Sequence, residues 1–98
     1  LNVEKSLFRI IQEALANVSW HSKAENVDIV FNFRSDFLLL TIRDDGQGFI
    51  PEEALGNGVG LKSMHERASL IGGTLTIESK PDKGTWISLK YPYHKIER

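Results

Sequence analysis

Two glycine-rich stretches and one row of polar residues carry whatever chemistry this sequence can do. Asp44-Asp45-Gly46-Gln47-Gly48 follows an apolar run, and Gly56-Asn57-Gly58-Val59-Gly60 precedes a second periodic segment, so five of the chain's eight glycines fall between positions 46 and 60. Glycine weakens any structure that has no use for positive φ or a close backbone approach. Concentrated in this way, it marks a place where backbone meets a ligand. Asp44 brings a carboxylate into the first loop. A single Asp-Gly pair is ordinary turn chemistry, but a plain hairpin turn needs neither Gly48 nor a second glycine loop. A helix beginning near Gly60 aims unpaired N–H groups and its positive end at that loop, an arrangement suited to phosphate. Glu13, Asn17 and His21 stand four apart and on a helix form one polar stripe. The stripe has two readings, groups pointing into a cleft or the solvated edge of an amphipathic helix. Short spacings recur by chance, and taken alone the row favours the edge.

Two familiar nucleotide motifs do not fit. The P-loop needs Gly-Lys adjacent before Ser or Thr, whereas Leu61 separates Gly60 from Lys62-Ser63. The dinucleotide fingerprint needs its glycines directly after the first strand of a βαβ unit, and that context is missing.

The elements that must position these groups follow from periodicity. Across residues 3–20, Leu7, Phe8, Ile10, Ile11, Ala14, Leu15 and Val18 recur at helical spacing, with Asn2 as N-cap. Val27, Ile29, Phe31 and Phe33 alternate with their neighbours as a strand with one apolar face, and Ser35-Asp36 turns the chain into a second strand over residues 37–43. Residues 51–55 read as one helical turn or an irregular flap. Leu61, Met64, Ala68 and Ile71 have helical spacing, and Gly72-Gly73 stops that helix. Two further strands, residues 74–78 and 85–91, flank the turn Lys80-Pro81-Asp82-Lys83-Gly84, and a polar tail follows. The order helix, two strands, loops, helix, two strands predicts an α+β two-layer sandwich, one mixed or antiparallel sheet covered on one face by helices.

Bulk properties bound the function. Ninety-eight residues make one domain, 1–98, with a single core. Twelve Lys+Arg against thirteen Asp+Glu leave a net charge of -1, which argues against a nucleic-acid binder. Cysteine is absent, and His21, His65 and His94 are too scattered for a metal site. No stretch approaches the roughly 18 apolar residues of a membrane span, and no signal peptide is visible. The chain starts without Met, directly in a helical pattern, and the expectation is a domain excised from a longer protein.

Side by side, Glu13-Ala-Leu-Ala-Asn17-Val-Ser-Trp-His21, Asp44-Asp45-Gly46-Gln47-Gly48-Phe49, Gly58-Val59-Gly60-Leu61 and Gly84-Thr85 resemble, in order and spacing, the ATP-binding catalytic domain of bacterial sensor histidine kinases. That domain belongs to the ATPase superfamily of DNA gyrase and the mismatch-repair protein MutL. The Glu-Ala-Leu-x-Asn-x-x-x-His form and Gly-Leu-Lys-Ser-Met-His-Glu-Arg-Ala look most like the nitrate-sensor and membrane-fluidity-sensor kinases. The resemblance spans essentially the whole chain and implies a Bergerat-type fold binding ATP and Mg²⁺. It implies that Asp44 accepts a hydrogen bond from the adenine amino group, with Gly46 and Gly48 letting the chain pass close to the base and Thr85 adding a hydroxyl. Asn17 would offer its side-chain oxygen to Mg²⁺. Gly58, Gly60 and the helix start at Leu61 would hold phosphates, and residues 50–57 would form a lid. Glu13, with His21 in the same catalytic motif, would orient or deprotonate an acceptor histidine. The implied partners are the kinase's own dimerisation and histidine-acceptor domain and, through the full-length kinase, a response regulator; the implied setting is cytoplasmic, without direct membrane contact by this domain.

Two departures stand out. Trp20 occupies a position where the family usually has a basic or polar residue, leaving His21 or Lys23 to help with phosphate. The acceptor-histidine helix is absent, so the expectation is ATP binding without autophosphorylation. Two other readings keep the fold, an anti-sigma-factor serine kinase and a non-catalytic nucleotide-sensing or docking module. The Glu13, Asn17 and His21 pattern favours the histidine kinase.

Overall fold

A computed structural model describes residues 2–17, 23–48 and 60–93. Helix α1, Val3–Asn17, starts where the sequence places it: the Asn2 Oδ1 accepts the Lys5 N–H at 3.0 Å, satisfying one of the orphan donors of the first turn. Its buried side is narrower than the apolar spacing predicts. Ile10 and Ala14 are buried and Leu7 and Ile11 pack beside them, but Phe8 and Leu15 are exposed. Val18 and the extension to residue 20 lie outside the described residues.

Strands β1, Val27–Phe33, and β2, Phe37–Asp44, form an antiparallel hairpin. Helix α2, Leu61–Leu70, follows, then strands β3, Thr74–Ser79, and β4, Thr85–Pro92. The sheet order is β1-β2-β4-β3 with every neighbouring pair antiparallel, which resolves the sequence expectation of a mixed or antiparallel sheet in favour of the latter. A turn at Gly72 stops α2. The Gly73 N–H reaches back to the Ala68 carbonyl at 2.8 Å and the Gly72 N–H to that of Ser69 at 3.0 Å, while Gly72 takes φ 77°, a Schellman arrangement that a Cβ would strain.

The core lies between the helices and one face of the sheet. Ile10 and Ala14 of α1 meet Leu61, Met64 and Ala68 of α2 above Leu40 and Ile42 of β2, Leu75 of β3, and Ile87 and Leu89 of β4. Period-two alternation puts these strand residues on a single face. Each Leu, Ile or Met side chain so buried contributes roughly 1.5–3 kcal/mol. Because β2 and β4 are the central strands, the ends of both are held rigidly, and the residues that continue them carry the site. Strand β1 forms where the alternation predicts it. Its alternating apolar face is real, but only Val27 packs against the core; Ile29, Phe31 and Phe33 remain exposed.

Candidate functional site

Asp44 is the last residue of β2. The register sets it between Val27 of β1 and Thr85 of β4, so its backbone is fixed from both sides while its side chain is half-buried. Its Oδ1 accepts the Gly46 N–H at 2.9 Å, an Asx turn that leaves Oδ2 for another donor. Across the ladder, the Thr85 hydroxyl is buried and lies 2.8 Å from the Ser79 Oγ, which donates to the Gly84 carbonyl at 3.1 Å. A serine hydroxyl has one proton. With it committed to Gly84, Thr85 is the donor in the Thr85–Ser79 pair and its oxygen keeps acceptor capacity. Asp44, Ser79 and Thr85 line a cleft of about 650 Å³ together with Ile77, Lys80 and Trp86. One carboxylate oxygen and a buried hydroxyl, in a cleft also lined by Arg43, Glu78 and Lys83, can receive a ligand that offers an amino group.

Two glycines close this end of the sheet by packing backbone on backbone. Gly84 has φ 78°, and a Cβ there would run into the Asp44 carbonyl; Gly48 has φ 66°, and a Cβ there would run into the Lys80 carbonyl. The Asp82 N–H also donates to the Gln47 carbonyl, tying the first glycine loop to the β3–β4 turn. Gly48 is therefore required by the fold itself, whatever it does for a ligand.

Asp45, which sequence reasoning passed over, holds the other side of the loop. Its Oδ1 accepts the N–H groups of Glu25 and Asn26 at 2.9 and 3.0 Å, and its Oδ2 accepts the Asn26 Nδ2 at 2.8 Å. Hydrogen bonds from Asn26, backbone first and then side chain, hold its carboxyl below the ordinary aspartate value of 3.8. The doubled Asp44-Asp45 was the available signal: Asp44 faces the cleft, and Asp45 ties the loop to residues 25 and 26.

The second cluster is built by the helix pair. Gly60 stands at the N-cap of α2 with φ 71°, its carbonyl accepting the Met64 N–H at 3.0 Å. A Cβ on Gly60 would overlap the Glu13 Oε2, so the Glu13 carboxylate sits against the N-terminus of α2. Gly60 has no side chain to cap the first turn, and the positive end of α2 suits an anionic group. Leu61 points the other way: its side chain is buried in the core, so only its main chain is available to a ligand. Asn17 lies one turn beyond Glu13, half-buried at the end of α1. The side-chain oxygen of Asn17 is the kind of ligand Mg²⁺ takes when it shares phosphates with a substrate. His21, Gly58 and the lid over residues 50–57 lie outside the described residues. No helix among the described residues is long and apolar enough to cross a membrane.

Residues 2–95 match the family model of histidine kinase-, DNA gyrase B-, and HSP90-like ATPases. Sensor protein VraS of Staphylococcus aureus strain COL is 46% identical over 93 residues, which are 95% of this chain and 27% of that protein. Sensor protein VraS of Staphylococcus epidermidis is 45% identical over 95 residues, 97% of this chain and 27% of that protein. The chain thus spans about a quarter of the length of the curated relatives it matches. Among solved structures, the ATP binding domain of PrrB from Mycobacterium tuberculosis superposes with a TM-score of 0.78 at 26% identity, covering 93% of this chain and 69% of that one. The histidine kinase domain of the Erythrobacter litoralis EL346 blue-light activated histidine kinase gives 0.75 at 18% identity, covering 92% and 44%, and supports the fold alone.

Proposed function

Because this chain belongs to the family of histidine kinase-, DNA gyrase B- and HSP90-like ATPases, we propose that it is the ATP-binding catalytic domain of a sensor protein-histidine kinase. In this reading it holds Mg-ATP and donates the γ-phosphate to a histidine on a separate dimerisation and acceptor domain, from which the phosphate passes to a response regulator. The observation that carries the reading is Asp44 in the cleft, with Oδ1 committed to Gly46 and Oδ2 left to accept from the adenine amino group. A carboxylate accepts and cannot donate, so it favours adenine over the keto group of guanine. Thr85 faces the same cleft with acceptor capacity remaining.

The phosphates then extend toward α2, where the N–H groups at Gly60 and Leu61, with Gly58 before them, hold anionic oxygens. Asn17 would be a ligand of Mg²⁺, which when bound neutralises phosphate charge. Glu13, against the same helix start, would orient the acceptor imidazole and take its N–H proton as the ring nitrogen attacks the γ-phosphorus and ADP departs. His21 belongs to the same catalytic motif. Transfer requires the acceptor domain, so the 98-residue chain alone binds nucleotide and does not phosphorylate itself. Calorimetric titration with Mg-ATP and Mg-GTP tests the first half of this reading: binding of ATP over GTP supports it, and a folded domain that binds neither overturns it.

A further inference from the structure

Among the described residues strand β1 is the outermost strand at its end of the sheet order, and its open edge is phased by two hydrogen bonds. The Arg34 N–H donates to the Phe37 carbonyl at 2.9 Å and the Asp45 N–H donates to the Asn26 carbonyl at 3.3 Å. Even-numbered residues of this segment therefore turn their main-chain groups toward β2. In an antiparallel ladder the intervening residues turn theirs away, so Ile29, Phe31 and Phe33 present N–H and C=O groups along the open edge. The same three residues expose their side chains on the helix-side face, at 37, 44 and 71%, and the rings of Phe31 and Phe33 stack with centroids 6.2 Å apart. A seven-residue edge with exposed aromatic side chains and main-chain groups that no described residue pairs is a template for one more strand.

We propose that this edge pairs with β1 of a second copy of the chain, antiparallel about a two-fold axis at Phe31. In that register Phe31 faces Phe31 and Ile29 faces Phe33 on one side of the sheet. On the other side Asp28 faces Arg34 of the second copy, and the symmetry repeats the ion pair. A shift by two residues sets Asp28 against Asn32 or sets Val30 against Arg34, losing both charge pairs. A shift by one puts apolar residues opposite polar ones and misplaces the edge hydrogen bonds. The charges thus select one register, and the interface is isologous. It uses no residue assigned to nucleotide binding.

Sedimentation equilibrium of the 98-residue chain, from about 10 µM to about 1 mM to cover weak specific association, should show a monomer–dimer equilibrium. Amide exchange across the same range should slow at Ile29, Phe31 and Phe33 while Val30 and Asn32, already turned toward β2, do not change. Asp28→Arg and Arg34→Asp each replace both ion pairs by like charges and should weaken self-association about tenfold. Mixed one to one, the two variants restore opposite charges at both positions and should dimerise like the wild type. A chain that stays monomeric throughout overturns the proposal, as does a mixture no more associated than its components or protection appearing on another element. The exchange measurement needs no variant, so it decides the matter even if a substitution fails to fold.

Discussion

Replacing Asp44 by asparagine changes one atom of the side chain and reverses its hydrogen-bonding sense where it matters. The Gly46 N–H at 2.9 Å needs an acceptor, so the asparagine oxygen stays on it and the NH₂ group takes the place of Oδ2. An adenine amino group then meets a donor. Loss of a hydrogen bond to a charged group costs about 1.5–3 kcal/mol, or roughly ten- to a hundred-and-fifty-fold in Kd, and the opposed donors place the expectation toward the upper end. The same substitution offers a donor to the keto oxygen of guanine, so the ratio of Mg-GTP to Mg-ATP affinity should rise. Calorimetry on wild type and Asp44→Asn with both nucleotides measures each part. The fold should be little affected, because the Asx turn to Gly46 is retained and β2 remains paired on both sides. Mg-ATP binding by the variant within about twofold of wild type, less than a single neutral hydrogen bond is worth, would refute the reasoning.

Other perturbations separate site from scaffold. Gly84→Ala sets a Cβ against the Asp44 carbonyl at a positive φ; it should destabilise by about 2 kcal/mol or more and lower Tm by roughly 8–16 °C in a thermal melt. Met64 is fully buried between the two helices and the sheet, so Met64→Ala should cost about 2–5 kcal/mol in urea unfolding. Asp45 is held below 3.8 by the bonds from Asn26. A depressed carboxylate stabilises the fold fully above its unfolded value, and that share is lost as pH falls through the lower folded value. Urea midpoints of the wild type should therefore fall more steeply than those of Asp45→Asn between about pH 5 and about pH 2; parallel curves would contradict the role given to Asp45.

Much of this architecture is legible in the sequence because local rules act alone there. Asn2 caps α1 as its type and position predict, the paired glycines at 72 and 73 stop α2, and the alternation in β2 and β4 names the residues that reach the core. Alternation shows which residues share a face and cannot show whether anything covers it. For that reason the apolar face of Ile29, Phe31 and Phe33 is legible while its exposure is not, and the same holds for Phe8 and Leu15 on α1. Glycine is ambiguous in a related way. Gly48 and Gly84 are demanded by the approach of one loop to another, a long-range contact that spacing does not encode, whereas Gly60 sits against Glu13, a residue the sequence had already singled out. Asp45 was hidden by its neighbour: two adjacent carboxylates have identical chemistry, and only the fold turns one toward Asn26 and the other toward the cleft.

The most direct test of the central claim is phosphotransfer in trans. The chain would be mixed with the histidine-acceptor domain of its full-length kinase and ATP labelled in the γ-phosphate, with Mg²⁺ present, and compared with Glu13→Gln and Asn17→Ala. Acid-labile label on the acceptor histidine, absent without the chain and strongly reduced by either substitution while Glu13→Gln still binds Mg-ATP, is the predicted result. Mg-ATP binding without any transfer to the supplied acceptor would contradict the kinase assignment and leave a nucleotide-binding module.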